Sequence, residues 1–402
     1  MDNHNLNTVI DEIISDLGYY SPIELLLRQG RLRFSDYEDW RYGKTELLTE
    51  QLMGSAKRVN SLLESAHDYA LKLGLTAEAA EFYGWKGDKA NQSLKLGNSL
   101  SDFDLSLLSS QYKRQQNIPQ LDLFFDNQGV QIANELAQAI AGRNIELAEL
   151  KLNQLERIDP GHALCGQAVI LINALRQLDD ATQTLQAAQQ LDHIQNHLLP
   201  LAKDILKGGT RDFIAPFWRQ LALNIDSEAY SDQHPELHPA YCYSQILLWQ
   251  EAIDSILQNS NWHQFPALYK MLSQAFYQNN QRNESIQVAC EFCWLFKDQQ
   301  PDFLLDAHCS TLYLQFMDLE LDEHWGWTHF PSWILIHEPG LASHLSTPLS
   351  KAQPQPPETF SLLMKLLESP QNGSHQDMAL RSSLKQAHDE IFGYFLGKFS
   401  RL

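Results

Sequence analysis

Apolar residues recur at helical spacing along almost the whole chain, and the alternation with β-branched residues that is typical of strands is almost absent. In the stretch SPIE, Ser21 suits the N-cap, Pro22 the first helical position and Glu24 the reciprocal position of a capping box. The stretch SDYE at 35–38 repeats this pattern, with Ser35 as the cap. A helical stripe further along contains Val59, Leu62, Leu63, Ala66, Ala70 and Leu73. The sequence therefore predicts an all-α protein.

The middle of the chain repeats a helix–turn–helix pattern. Residues 133–162 consist of a predicted helix, a Gly-Arg-Asn turn, a second helix with the small residue Ala148 near its start, and then Pro160, where a next unit begins. This stretch resembles a tetratricopeptide repeat. Three further stretches share this order of elements at 163–191, 241–258 and 266–296. The resemblance implies helical hairpins that stack into a solenoid, because one hairpin cannot bury its apolar face alone.

The predicted organisation has four parts: an N-terminal helical region (1–125), a repeat region (126–345), a proline-rich linker (346–358) and C-terminal helices (359–402). The linker is expected to be extended, because its prolines cannot continue a helix. The concave face of a helical-repeat array binds peptides or helices of other proteins. The resemblance therefore implies a scaffold, adaptor or assembly factor that performs no chemical step.

Aromatic residues are concentrated at the predicted end of the repeat region. Residues 324–345 include four histidines and three tryptophans. One interpretation is terminal packing, since a solenoid must cover its last apolar face. A second is a partner-binding groove, since tryptophan is enriched among the residues that dominate interface affinity. A third is a catalytic or metal pocket. The candidate partner-binding residues are Trp325, Trp327, Phe330 and Trp333.

Charge and composition restrict the class of partner and the compartment. The 402-residue chain has 50 acidic and 30 basic residues, a formal net charge of −20, which repels phosphate backbones and favours a protein or peptide with a basic surface over nucleic acid. The longest strongly apolar run, at 168–175, is too short to cross a membrane. The N-terminal stretch does not have the pattern of a signal peptide, and five cysteines do not suggest a disulfide framework. A cytoplasmic location is expected.

The possible metal ligands do not form a complete set. Cys290 and Cys293 have the CxxC spacing, but no second pair completes four zinc ligands. The pairs His193/His197 and His234/His238 could each begin a site, but the sequence indicates no third ligand. The sequence therefore predicts no metal and no cofactor.

One spacing supports an alternative function of a different class. Arg381 and His388 match the Arg-then-His spacing of the helical HEPN ribonucleases, and a helix across both would place them on one side. The sequence thus predicts a non-enzymatic protein-interaction scaffold, with a helical ribonuclease or other hydrolase that uses Arg381 and His388 as the alternative.

Overall fold

The computed structural model describes residues 3–85, 92–114, 126–178, 186–226, 230–304, 307–323, 325–346, 348–349, 355–368 and 375–399. The chain forms two compact units. Unit 1 contains Met1–Ile225 and Cys242–Leu248, and unit 2 contains Asp226–Tyr241 and Trp249–Leu402. The division between them falls inside the predicted repeat region, and the domain boundaries expected from the sequence remain predictions. Much of the predicted linker, at 347 and 350–354, lies outside the described residues.

Unit 1 is built mainly from helices, which pack around large buried side chains such as Trp40, Phe213 and Trp218. Its helices are α1 (Asn3–Leu17), α2 (Pro22–Arg28), α3 (Phe34–Arg41), α4 (Ala56–Lys72), α5 (Leu105–Leu108), α6 (Asp126–Ala141), α7 (Ile145–Ile158), α8 (Ala163–Leu178), α9 (Ala187–Asp192), α10 (Leu199–Leu206) and α11 (Thr210–Asn224).

A small antiparallel sheet, which the sequence pattern did not predict, also belongs to unit 1. Strand β1 (Leu75–Ala79) pairs with β2 (Ser110–Arg114) so that Leu75 is opposite Arg114 and Ala79 is opposite Ser110. On β2, Tyr112 is buried and packs against Tyr20. The residues before and after Tyr112 project from the opposite face of the strand, because side chains alternate along a strand.

Helices also make up unit 2, whose core contains aromatic residues such as Trp294, Phe316 and Trp333. The remaining helices are α12 (Pro239–Ser244), α13 (Trp249–Gln258), α14 (Pro266–Gln278), α15 (Arg282–Leu295), α16 (Ala307–Glu323), α17 (Phe330–His337), α18 (Ala342–Leu345), α19 (Glu358–Glu368), α20 (His375–Ala387) and α21 (Asp389–Phe399). The boundary between the two units falls within α12, after Tyr241. In the part of the chain that the structure describes, no helix is both long enough and apolar enough to span a bilayer.

The all-helical prediction is confirmed apart from the two short strands. At the start of α2, Ser21 is the N-cap and accepts a hydrogen bond from the Glu24 N–H at 3.4 Å. The second capping-box prediction was wrong in detail. Helix α3 begins at Phe34 after Arg33, and no side chain caps it, so that Ser35 lies inside the helix.

The predicted hairpin at 133–162 is present as α6, a turn and α7. Arg143 in this turn has φ +58°, and Asn144 caps α7 by accepting from the Leu147 N–H at 3.1 Å. Ala148, the small residue near the start of the second helix of the predicted hairpin, is fully buried. Helices α14 and α15 form a second packed pair. Packed helix pairs are compatible with a helical-repeat fold.

Candidate functional site

Unit 1 contains an open cleft with a volume of about 2090 Å³. Residues from α2, α3, the segment 78–85, β2, α6, α8, α10 and α11 line it. On β2, Gln111 and Lys113 line the cleft while Tyr112 between them is buried. The alternation of the strand thus gives the cleft a polar wall and the core an aromatic side chain.

Ion pairs between distant parts of the chain form the floor of the cleft. Glu24 on α2 accepts two hydrogen bonds from Arg211 on α11, at 2.6 and 2.9 Å. It also accepts one from Arg28, a turn further along α2, at 2.6 Å. The Glu24 side chain is only 10% exposed, so these interactions are little screened by water. They tie α2 to α11 at the floor of the cleft.

A second buried carboxylate binds two further arginines. Glu38 on α3 accepts from Arg143 at 2.8 Å and from Arg219 at 3.0 Å. Arg143 also donates from Nε to the backbone carbonyl of Asp212 at 2.6 Å and from Nη1 to the hydroxyl of Tyr42 at 2.8 Å. The turn between α6 and α7 is thereby joined to both α3 and α11.

Arg41 connects this network to the aromatic part of the cleft. Its Nη1 donates to the Tyr37 hydroxyl at 2.5 Å, and that hydroxyl donates to Asp212 Oδ2 at 3.3 Å. The Nε of Arg41 donates to the backbone carbonyl of Tyr83 at 3.1 Å. The guanidinium carbon also lies 4.7 Å from the ring centroid of Trp85, which is within cation–π range. Arg41 therefore has a fixed position at the cleft surface.

Burial dominates the electrostatics of Asp212. Desolvation raises the pKa of its carboxyl group from the ordinary 3.8 to about 6, although Arg41, Arg143 and Arg211 each act to lower it. At Glu24 the balance is reversed: burial raises the pKa, but the two arginines that it binds outweigh burial and the pKa is lowered. Asp212 is thus a weakly compensated carboxylate at the cleft, and Glu24 is a firmly ionised one.

Glycines allow the backbone to approach closely at this site. Residues Lys207–Gly209 form a single tight turn between α10 and α11, so the KGGTRD stretch is a helix break. A side chain at Gly208 would overlap the hydroxyl of Tyr19, and a Cβ at Gly209 would lie 2.5 Å from Ala141 Cβ. Burial, with a further contribution from Asp212, raises the pKa of Tyr19 to about 12. Tyr19 therefore stays neutral beside the first turn of α11.

The four aromatic residues predicted to bind a partner lie in the core of unit 2. Their exposed fractions are 7% for Trp325, 7% for Trp327, 0% for Phe330 and 4% for Trp333. Trp325 donates from Nε1 to the carboxylate of Glu390 at 2.5 Å. Partner binding by these residues remains a prediction, and their burial favours the packing interpretation of the segment.

Arg381 and His388 do not share one helix. Arg381 lies on α20 and donates to Asp377 Oδ1 at 2.9 Å, whereas His388 follows the last residue of α20 and its Nδ1 accepts from the Ile391 N–H at 3.4 Å. The His388 ring packs against Trp325 with centroids 5.0 Å apart. The sequence predicted one helix across both residues, but α20 ends at Ala387 and separates them. A catalytic role for the pair remains a prediction.

The histidine and cysteine pairs have separate surroundings. Cys290 and Cys293 are buried on α15, and burial raises the pKa of both thiols. The rings of His193 and His197 are tilted by 36° with their centroids 5.7 Å apart, and His238 is buried against Tyr230. Among the described residues, no group of three or more His, Cys, Asp or Glu side chains is placed to hold a metal ion.

The sequence did not predict this cleft. Of the residues that line it, Glu24 was identified beforehand, but as part of a helix cap. The charged residues that line the cleft are scattered between positions 24 and 212, and no short motif joins them. A local signal is present in the Gly208–Gly209 pair directly before α11. No protein-family model, curated protein or solved structure matches the chain.

Proposed function

We propose that this chain is a non-enzymatic binding protein that takes a segment of a partner protein into the cleft of unit 1. The observation that carries the proposal is the size of the cleft, about 2090 Å³. Pockets for small molecules usually enclose roughly 300–1,000 Å³. A cleft this large, open and lined along several elements suits an extended peptide better than a metabolite.

The helical hairpins support a tetratricopeptide-like binding mode. Helices α6 and α8, the first helices of successive predicted hairpins, both contribute residues to the cleft. Arrays of this kind bind partners on the surface formed by such helices. The small side chains Ala133, Ala137 and Ala141 on α6 leave room for a chain to lie against the helix.

The polar floor supports binding rather than a chemical step. Glu24 and Glu38 are each held by two arginines, and Asp212 accepts from the Tyr37 hydroxyl at 3.3 Å, so these carboxylates serve to join elements at and below the floor of the cleft. A general base needs an available lone pair close to the proton that it removes. The rigid floor instead provides a preformed surface, which lowers the entropy lost when a partner binds.

Site-specific photo-crosslinking tests the proposal. A photoreactive amino acid replaces Gln111, which lines the cleft, or Lys72, an exposed residue of α4 that does not line it. The full-length protein is irradiated in an extract of its native host, and the adducts are identified by mass spectrometry. We expect a discrete protein adduct from position 111 that is absent from position 72.

An additional variant shows whether the cleft itself is required. Ala137→Trp places a large side chain inside the cleft, and its melting curve establishes that the protein is folded. The adduct at position 111 should disappear in this variant. An adduct that persists in the filled cleft, or that forms equally at position 72, would contradict the proposal.

A further inference from the structure

The ion-pair network below the cleft has more guanidinium groups than carboxylates. Five arginines share four carboxylates, those of Asp16, Glu24, Glu38 and Asp212. The arginines are Arg28, Arg41, Arg143, Arg211 and Arg219. Among the described residues that line the cleft, acidic and basic side chains are equal in number, six of each. The choice of a partner therefore depends on how each guanidinium group is paired.

Arg41 is the member of the network with the weakest carboxylate partner. Arg28 and Arg211 lie 2.6 Å from Glu24, and Arg143 lies 2.8 Å from Glu38. For Arg41 the nearest carboxylate oxygen belongs to Asp212, at 3.7 Å, beyond hydrogen-bond distance.

Both hydrogen bonds that Arg41 forms with described residues go to neutral oxygens, those of the Tyr37 hydroxyl and the Tyr83 carbonyl. Its Nη2 has no hydrogen-bond acceptor within the described part of the chain. The side chain is 16% exposed and lines the cleft. A group that enters the cleft can therefore reach a charged donor that the protein itself leaves available.

Trp85, next to Arg41, also lacks an acceptor. The Trp85 side chain is buried, with 2% exposed, and no described residue accepts a hydrogen bond from its Nε1. Its backbone N–H donates to the carbonyl of Arg41 at 2.8 Å, which fixes the two residues relative to each other. Because the indole Nε1 is itself buried, the exposed part of the Arg41 guanidinium group is the donor that a ligand in the cleft can reach.

We propose that the segment bound in the cleft is acidic and that one of its carboxylate side chains binds Arg41 beside Trp85. This inference rests on the proposed function, because it names the chemistry of the segment that the cleft takes up. A charge-assisted bond between guanidinium and carboxylate is among the stronger hydrogen bonds in proteins. Arg114 and Lys207 line the same cleft, as do the acidic residues Glu81 and Asp204, so the preference for a carboxylate is assigned to Arg41 itself. A free phosphate could use Arg41 as well, but it would leave most of the cleft unfilled.

The inference differs from the expectation based on total charge, which favours a basic partner. The difference arises because the field of the whole molecule steers partners from a distance, whereas groups at a desolvated surface select the partner at contact. Asp212 does not satisfy Arg41 well, because its nearest oxygen lies 3.7 Å from Arg41 Nη1 and accepts instead from the Tyr37 hydroxyl. A carboxylate from a ligand would meet a guanidinium group that has no hydrogen-bonded counter-charge among the described residues.

Fluorescence anisotropy on the full-length protein tests the inference with three labelled peptides of equal length. Their sequences are rich in Glu, in Gln or in Lys and otherwise identical, and inorganic phosphate serves as a competitor. We expect the Glu peptide to bind about tenfold more tightly than the Gln peptide, as one charge-assisted hydrogen bond provides. The Arg41→Gln variant should lose this preference, and Arg41→Lys should retain part of it. The Lys44→Gln control removes an exposed positive charge outside the cleft and should retain the full preference.

The outcomes separate this inference from the proposal on which it rests. A Gln peptide that binds as tightly as the Glu peptide, or a preference that survives in Arg41→Gln, would overturn the acidic segment and leave peptide binding intact. If no peptide binds, the proposed function fails. Phosphate that binds while no peptide does would show a small-anion site and overturn both. If Arg41→Gln does not fold, Trp85→Phe provides the test: it replaces the indole ring that lies 4.7 Å from the Arg41 guanidinium carbon by a smaller ring, so Arg41 is held less firmly and the preference for the Glu peptide should fall.

Discussion

Arg143 and Glu38, which are 105 residues apart in the sequence, form an ion pair of 2.8 Å in the interior of unit 1. Their side chains are only 10% and 6% exposed. Arg143 belongs to the turn between α6 and α7, and Glu38 belongs to α3, so the pair joins the first predicted hairpin to the N-terminal helices. Because Glu38 also binds Arg219 on α11, a single carboxylate holds three elements of the cleft together.

Replacing Glu38 by Gln should strongly destabilise the protein. The substitution leaves the buried Arg143 and the partly exposed Arg219 without this carboxylate, and the loss of a buried ion-pair partner typically costs about 3 kcal/mol or more. Urea denaturation measures the free energy of unfolding. The exposed residue Glu50 provides a control, and Glu50→Gln should change that free energy by no more than about 0.5 kcal/mol. Equal effects of the two substitutions would show that the Glu38 network contributes no more than a surface charge.

The Asp212→Asn variant should gain stability relative to wild type as the pH rises. The pKa of Asp212 is raised to about 6 in the folded protein, so its contribution to stability is complete below about pH 4 and is lost as the pH rises through 6. Asn cannot ionise and avoids this loss. The difference in unfolding free energy between variant and wild type should therefore be roughly 1 kcal/mol more favourable at about pH 8 than at about pH 5. The exposed Asp68→Asn substitution serves as the control. The same difference at both pH values would argue against a raised pKa.

His238 in unit 2 should cause a loss of stability in acid. Its ring is fully buried and burial lowers its pKa to about 4. The unfolded chain therefore binds the proton more strongly than the folded protein does. The contribution of neutral His238 to the free energy of unfolding is fully present above about pH 6.5 and is lost as the pH decreases towards 4. In His238→Asn, the amide oxygen can still accept the Ala240 N–H that Nδ1 accepts at 3.1 Å, but it takes up no proton.

Melting curves between about pH 7 and pH 5 measure the effect of His238. The wild type should lose roughly 1 to 2 kcal/mol more than His238→Asn over this interval. The exposed His234 offers a matched control four residues earlier, and His234→Asn should keep the wild-type pH dependence. If both variants follow the wild-type curve, His238 does not control the acid sensitivity.

Trp333→Ala should destabilise the protein by about 3 kcal/mol or more, as removal of a large buried aromatic side chain usually does. Trp333 is 4% exposed and its ring contacts those of Trp325 and Tyr394. Thermal unfolding measures the change, and Leu314→Ala, at an exposed leucine of α16, should have little effect. A Trp333→Ala variant that melts like the wild type but no longer captures a partner would instead support the partner-binding interpretation.

The double variant Arg381→Ala/His388→Ala tests the ribonuclease alternative. Arg381 pairs with the buried Asp377, and His388 packs on Trp325, so we expect a loss of stability of about 1 to 3 kcal/mol. We expect wild type and variant to leave single-stranded RNA equally intact, as followed by gel electrophoresis. Cleavage by the wild type that the folded double variant lacks would make the enzymatic alternative the primary function.

The sequence by itself determined the helices and several of their ends. Ser21 caps α2, and the turn at 142–144 separates α6 from α7, as the pattern predicts. These features depend on side chains within about four residues of each other, because helical hydrogen bonds and caps are local. The exception is α3, where Ser35 matched the capping pattern but the helix begins one residue before it.

Only the tertiary structure decided the role of Glu24 and the use of the aromatic segment. The pattern assigned Glu24 to a helix cap, but its carboxylate binds Arg211, 187 residues away. Likewise, the composition of 324–345 is compatible with either a core or a groove, and packing against α16 and α21 buries its tryptophans. The physical reason is the same in both cases. Desolvation and ion pairing depend on which surfaces meet in three dimensions, and the residues adjacent in sequence do not specify that.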